Sequence, residues 1–188
     1  MSRSLVSLRD ATLADVVHLA DLWQPYLRRG GEEQLHDLAT VIEQLGSQPG
    51  ERLVVAEYDG EFAGAVFLRA ATYSPVNPEP VLQAHNAAVV PSLRKRGVGT
   101  ALMECAVTWA EELGIGHVAT ATASGSREAN RFMARLALGP QAVLRMAPTP
   151  AVRSKLSARY PGARQVTHVV AVRRSLRHAR SVSAAESF

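Results

Sequence analysis

The sequence contains a single cysteine, Cys105, so no disulfide can form within the chain, and the chain fits a reducing compartment. It also lacks any apolar run near the roughly 18 residues that a membrane-spanning helix needs. Its N-terminus has neither a long apolar core nor a cleavage signature, so we expect a cytoplasmic protein. Cys105 lies in an apolar helical stripe, which favours a place in the core over the role of a catalytic nucleophile.

Metal-binding patterns and aromatic residues are scarce as well. No group of His, Cys and Asp has the spacing of a metal site, so we expect no metal, and aromatic residues make up only 5% of the chain. Residues 130–188 hold 11 Lys and Arg against one acid (net +10), whereas residues 1–129 hold 10 against 16 (net −6). Such asymmetry can indicate an anionic partner, but these cations lack the interleaved aromatic residues of a nucleic-acid surface. We therefore favour a solvated or internally neutralised basic part, and expect neither nucleic acid nor membrane as a partner.

What the chain does contain is enough apolar sequence, 47% of 188 residues, for one domain with a substantial core. Asp59-Gly60 between two β-rich runs predicts a hairpin, and the three prolines of 72–80 predict a loop. Hydrophobic periodicity predicts strands at 4–9, 52–58, 61–70, 81–90, 116–123, 142–147 and 165–174, and helices at 13–22, 32–45, 97–113, 126–137 and 148–159. This alternation of hairpins and crossovers predicts an α/β or α+β fold, with a mixed sheet covered by helices.

Three consecutive cations precede a Gly-x-Gly pair at the junction of a predicted strand and a predicted helix, in the stretch VVPSLRKRGVGTAL of 89–102. The N-terminus of a helix has unpaired N–H groups and the positive end of the helix dipole. Gly97 and Gly99 allow the backbone to approach a ligand closely, and Arg94, Lys95 and Arg96 add positive charge. Together these features predict an anion site that suits phosphate.

Two common phosphate-binding motifs do not fit this stretch. A P-loop would require Gly-Lys-Ser/Thr, which does not follow, and the third glycine position of a dinucleotide fingerprint is occupied by Leu102. The stretch instead resembles motif A of the GCN5-related N-acetyltransferases (GNAT family), whose core is Arg/Gln-x-x-Gly-x-Gly/Ala and which reads here Arg94-x-x-Gly97-x-Gly99. The segments LRDAT, followed by Asp15, and SREANRFMARLAL also resemble this family.

The resemblance covers about residues 4–147 and is specific at 85–102. It implies a GNAT-like acyl-CoA N-acyltransferase fold, in which a mostly antiparallel central sheet with a splayed strand pair is flanked by helices. We expect a single such domain over 1–173, in which 148–173 contain a divergent helix and the last strand. A basic, frayed tail would follow at 174–188. Late strands often contribute to dimers in this family, so the resemblance also implies a homodimer.

The resemblance implies acetyl-CoA as cosubstrate. Its pyrophosphate would be wrapped by Arg94, Lys95, Arg96, Gly97, Val98, Gly99 and Thr100. Its pantetheine would pair with the backbone of Ala87, Ala88 and Val89, and the N–H of Val89 would polarise the thioester carbonyl as an oxyanion donor.

The usual proton-transfer residues of the family are missing. Gln83 stands where some members have a glutamate base, and Met133 stands where they have a tyrosine acid. His85 lies two residues after Gln83, hence on the same strand face, and is a candidate base; the alternative is a hydrogen-bonded strand histidine near the site. An asparagine that often heads the helix after the fifth strand is replaced by Ser126.

The acceptor is not determined by the sequence. The resemblance places it opposite CoA, where an aromatic and acidic set could bind an amine: Trp23, Tyr26, Glu32, Glu33 and Tyr73. Arg145, Arg153 and Lys155 would instead suit an acceptor that bears a carboxylate or phosphate.

We favour an acetyl-CoA-dependent N-acetyltransferase acting on a small-molecule, peptide or protein amine. A noncatalytic acyl-CoA-binding regulator and a nucleic-acid-associated protein are the alternatives.

Overall fold

The computed structural model of the chain describes residues 5–121 and 125–159. The chain divides into two units, Met1–Gly139 and Pro140–Phe188. The first unit contains β1 (Val6–Asp10), α1 (Val16–Trp23), α2 (Gly31–Leu45), β2 (Glu51–Tyr58), β3 (Glu61–Ser74), β4 (Asn77–Val89), α3 (Val98–Glu112), β5 (Val118–Thr120) and α4 (Arg127–Arg135). The second unit contains α5 (Thr149–Arg159).

The five strands form one sheet in the order β1-β2-β3-β4-β5. The first three pairings are antiparallel, whereas β4 and β5 run parallel. The predicted turn at Asp59-Gly60 joins β2 to β3, and both residues have positive φ, 54° and 83°, as a two-residue hairpin turn requires. The predicted mixed sheet is therefore confirmed.

The loop predicted at 72–80 is wrong. β3 continues to Ser74 and β4 begins at Asn77, so only two residues separate the strands. Pro80 is tolerated within β4 because of the direction of the strand's N–H groups. The N–H of Leu82 donates to the carbonyl of His117 beside β5, so the nitrogen of Pro80, two residues earlier, faces the same edge. The pairing with β5 begins only at Leu82, so the missing N–H of Pro80 costs no ladder hydrogen bond.

The strand predicted at 142–147 is wrong as well. This segment of the second unit has no regular secondary structure, and Val143, Leu144 and Met146 are exposed. Its alternating pattern has no partner strand among the residues that the structure describes in this unit, and an isolated strand is not stable. The helix predicted at 148–159 is confirmed by α5. The strand predicted at 165–174 and the tail at 174–188 lie outside the described residues, and the boundary at 173 stays a prediction.

Helices cover the two faces of the sheet through separate apolar layers. Residues alternate along β2, so Leu53 and Val55 pack in a layer with α1 and α2, whereas Val54 and Ala56 pack in a layer with α3. Cys105 is half-buried against the second of these layers, and burial raises the pKa of its thiol. Cys105, predicted in the core, lies at its edge.

A buried carboxylate fixes the start of α1. Asp15 is only 3% exposed and accepts two hydrogen bonds from the Arg9 guanidinium, both 2.7 Å long. It also accepts hydrogen bonds from the backbone N–H and the hydroxyl of Thr12, at 2.8 and 3.1 Å. The hydrogen bonds from Arg9 lower the pKa of Asp15 from 3.8 to about 2.

We expect Asp15→Asn to destabilise the fold by about 2 kcal/mol at neutral pH, since a depression of this size is worth that much. The folded-state pKa is the lower one, so the stabilisation is complete above the unfolded pKa near 3.8 and is lost as the pH falls towards about 2. Urea unfolding at several pH values measures both effects. Asp10→Asn is the control, because Asp10 pairs with Arg52 at the exposed surface. An Asp15→Asn variant with the wild-type acid dependence would contradict the assignment.

Candidate active site

A cavity of about 670 Å³ opens in the first unit between α1, the end of β4 and the N-termini of α3 and α4. Most of the residues predicted to bind the cofactor line it: Ala87, Ala88, Val89, Arg94, Lys95, Gly97, Gly99 and Thr100. Arg96 and Val98 are placed differently. The Arg96 guanidinium lies 5.1 Å from the centre of the Tyr58 ring, and the Val98 side chain is buried in the core.

The N-terminus of α3 borders this cavity and has backbone donors without a partner in the helix. Lys95 and Gly97 have left-handed backbone conformations, with φ of 62° and 87°, and Gly97 is the N-cap of α3. No side chain caps the helix, and its first backbone bond runs from Ala101 N–H to the Gly97 carbonyl. The N–H groups of 98–100 therefore have no partner within the helix. They combine with the helix dipole and nearby cations in the geometry of an anion site.

The loop before α3 and the start of α3 lie next to α4 and β4. The Arg94 guanidinium forms an ion pair with Glu128 of α4, at 3.2 Å. A Cβ atom added to Gly99 would meet the Phe132 ring at 3.5 Å and the Val89 side chain at 3.6 Å. Both distances are ordinary van der Waals contacts, so a methyl group would fit at Gly99, whereas a larger side chain would enter the cavity.

The pairing of β4 with β5 among the described residues ends beside the cavity. Its register ends at Ala84 and Thr120, where the Thr120 hydroxyl also donates to the Ala84 carbonyl at 2.8 Å. Directly after β4, the Val90 N–H donates to the Ala63 carbonyl of β3 at 2.8 Å. Successive N–H groups of a strand point to opposite edges, so the N–H of Val89 points away from β3, towards the edge on which β5 pairs.

A β-bulge that the sequence analysis missed interrupts β4. Asn86 has a φ of 52°, and the register with β3 shifts between the pairs Phe67–His85 and Ala65–Ala88. An asparagine within an apolar strand is the available sequence signal, since Asn tolerates the left-handed region better than most residues. The indole N–H of Trp23 donates to the Asn86 carbonyl at 2.7 Å.

The candidate proton-transfer residues occupy separate places. The His85 ring lies 3.1 Å from the Gln83 side-chain oxygen and beside Phe67, outside the lining of the cavity. Burial, followed by the charge of Arg69, lowers the pKa of His85. Met133 does line the cavity but is buried in the core and has no proton to donate.

We expect His85→Gln to change kcat/KM for an amine by less than about threefold and to leave its pH profile unchanged, because this side chain does not reach the cavity. The measurement is kcat/KM from pH 5 to 9 for both proteins. Loss of a limb below the ordinary histidine pKa in the variant would instead identify His85 as the base.

The predicted acceptor residues do not form one group. Tyr26 lines the cavity with Asp21 and Gln24 of α1 and the segment after it. The prediction that Trp23 forms a pocket wall is not supported, because Trp23 is 4% exposed and packs between α1, α2 and the sheet. Glu33 pairs with Arg28 at 3.3 Å.

Tyr73 of the first unit is not among the residues that line this cavity. Tyr73 is exposed near the turn between β3 and β4. Arg145, Arg153 and Lys155 belong to the second unit.

Within residues 5–121 and 125–159, no three His, Cys, Asp or Glu side chains are grouped to hold a metal ion. No helix in the same part of the chain has the length and apolar character needed to cross a membrane.

The model of the acetyltransferase (GNAT) family matches residues 16–138. Comparison with curated proteins finds no match. Among solved structures, a transcriptional regulator from Bacillus halodurans C-125 is 22% identical, with a TM-score of 0.64 over 76% of this chain and 99% of that one. The aminoglycoside N-acetyltransferase AAC(6')-Iy in complex with CoA is 18% identical, with a TM-score of 0.64 over 79% and 98%. Glucosamine-6-phosphate N-acetyltransferase from Arabidopsis thaliana is 13% identical, with a TM-score of 0.61 over 77% and 98%. These TM-scores show a shared fold.

Proposed function

Because the chain belongs to the acetyltransferase (GNAT) family, we propose that it is an acetyl-CoA-dependent N-acetyltransferase that acts on a primary amine by direct attack. One observation carries the proposal. A single cavity joins the uncapped N-terminus of α3 to the stretch of β4 beyond its pairing with β5. It therefore offers donors for a pyrophosphate at one end and an inward-pointing backbone N–H for a thioester carbonyl at the other.

The groups that line the cavity match the successive parts of this cofactor in their chemistry and in their order along the cavity. The N–H groups of 98–100 would bind the pyrophosphate, with Arg94 and Lys95 adding charge. The backbone of Ala87 and Ala88 would orient the pantetheine arm, and the Val89 N–H would stabilise negative charge on the carbonyl oxygen. Acetyl-CoA supplies the activated acyl group and a thiol leaving group.

Proton transfer would proceed without a side-chain base or acid from the usual positions, because Gln83 and Met133 do not titrate. The amine proton would pass to water in the open cavity, and the thiolate would leave unaided, since a thiol pKa is only slightly above neutral. Orientation and the backbone oxyanion donor would supply most of the rate acceleration. The same absence favours the second candidate function, a noncatalytic acyl-CoA-binding regulator.

The acceptor would enter on the α1 side of the cavity. Asp21 and Tyr26 lie there and suit an ammonium group through charge and a ring face. A small-molecule, peptide or protein amine fits this chemistry. A homodimer and a cytoplasmic location stay predictions.

The test is calorimetric titration with acetyl-CoA, followed by a free-thiol release assay over a mixed panel of amines. Saturable binding and amine-dependent thiol release are expected. Binding without release on any amine would favour the regulator. No binding would exclude both, and salt-sensitive binding to DNA or RNA would then favour the nucleic-acid alternative.

A further inference from the structure

The bulge at Asn86 decides which backbone groups of β4 face the cavity. The N–H of Leu82 points to the β5 edge, where it donates to the His117 carbonyl at 2.9 Å. In a regular strand, residues an even number apart point the same way, so Val90 would also face that edge. It donates instead to Ala63 of β3, on the opposite side. The extra residue has inverted the alternation, which turns the N–H of Val89 towards the cavity.

The side chains record the same inversion. Leu82 and Ala84, both even-numbered, pack in the layer with α3, whereas beyond the bulge it is Ala87 and Val89 that contact this layer. Ala88 contacts the opposite layer, with α1 and α2. Loss of the bulge, or its movement by one residue, would therefore reverse the directions of the N–H groups and side chains of β4 that follow it.

Trp23 holds the bulge from the other side of the sheet. It is the last residue of α1, it is 4% exposed, and its indole N–H reaches 2.7 Å to the Asn86 carbonyl, 63 residues along the chain. A left-handed, non-glycine residue in a strand persists only where the surroundings stabilise it. The indole donor supplies such a contact at the carbonyl of the strained residue itself.

We propose that Trp23 is a positioning residue, whose indole N–H fixes the Asn86 bulge and thereby aims the Val89 N–H into the cavity. The inference rests on the proposed function, since the aim of Val89 matters only if a thioester carbonyl lies there. Asp21 and Leu22, which precede Trp23 on α1, line the same cavity, so this bond also fixes the spacing of two cavity walls.

Trp23→Phe tests the proposal, because it keeps an aromatic ring in the core and removes the donor. Trp109→Phe is the matched control: Trp109 is also buried, at 7% exposure, but it lies on α3 and outside the cavity lining. We expect Trp23→Phe to lower kcat at least about tenfold, with the Kd for CoA, which lacks the acetyl carbonyl, changed by less than about threefold. We expect Trp109→Phe to keep kcat within about threefold, at a temperature where both variants are folded.

A second readout does not require turnover. The affinity for acetyl-CoA relative to CoA should fall at least about threefold in Trp23→Phe and stay constant in Trp109→Phe. Asn86→Val, whose β-branched side chain disfavours the positive φ of the bulge, should lower kcat in the same way as Trp23→Phe.

The outcomes separate the two proposals. One outcome is that the wild-type protein binds acetyl-CoA and transfers acetyl groups while Trp23→Phe is indistinguishable from Trp109→Phe in both readouts. That result would overturn the positioning role and leave the proposed function standing. A parallel loss of CoA affinity and kcat would also overturn it, since that pattern reports general loosening. A wild-type protein that binds neither CoA nor acetyl-CoA would overturn the proposed function.

Discussion

Gly99→Trp will raise the Kd for acetyl-CoA by more than about 100-fold and abolish amine-dependent thiol release. The added Cβ would point between Phe132 and Val89, so an indole ring there would fill the cavity between the anion site and the open part of β4. The fold should survive, because Gly99 is a helical residue and tryptophan has the higher helix propensity. Calorimetry measures the loss of binding, and thermal unfolding verifies the fold.

Two matched variants make this result interpretable. In Gly99→Ala the new methyl group would lie at ordinary van der Waals distance, 3.5 Å from Phe132, so we expect a Kd within about threefold of the wild type. Gly46→Trp adds the same ring where a Cβ meets nothing within 4 Å, and it should bind normally. Binding by Gly99→Trp at the wild-type Kd would show that the cofactor lies elsewhere.

Gly64→Ala will destabilise the fold and impair catalysis, although it adds only one methyl group. The new Cβ would lie 2.5 Å from the Ala88 carbonyl oxygen and 3.3 Å from the Val89 Cα, and neither backbone atom can turn aside as a side chain can. Overpacking of this kind costs about 1–3 kcal/mol, and relief by movement of β4 would displace the Val89 N–H. We expect kcat to fall at least about tenfold, as measured beside urea unfolding.

Gly50→Ala is the control for this variant. Its Cβ would lie 3.8 Å from the Ala70 side chain, an ordinary contact, so stability should change by less than about 0.5 kcal/mol. A Gly64→Ala protein with wild-type stability and activity would contradict the close approach of β3 and β4. Normal stability with lost activity would show that β4 moves to make room for the methyl group and displaces the Val89 N–H.

Local chemistry explains why much of the fold could be predicted. Asp59-Gly60 favours its turn through the conformations that these two residues adopt, and the hairpin forms as predicted. Ser126 caps α4 by accepting a hydrogen bond from the Ala129 N–H, again within a few residues. The errors at 72–80 and 142–147 have the opposite origin. A strand is stabilised by pairing with a neighbouring strand. Neither the proline content of a segment nor its alternation of apolar and polar residues shows whether such a neighbour is present.

The sequence by itself determined the order of most elements, the family, and the position of the anion site before α3, because each depends on residues close together in the chain. Only the tertiary structure decided that Arg96 and Val98 lie outside the cavity lining and that Trp23 is buried. It also decided that a bulge at Asn86 reverses the edge of the sheet to which the following N–H groups of β4 point. The direction of the Val89 N–H follows from hydrogen bonds to β3 and to the residue before β5, which lie more than 20 residues away. Strand register and side-chain contacts between distant segments set that direction, and they are fixed only when the sheet assembles.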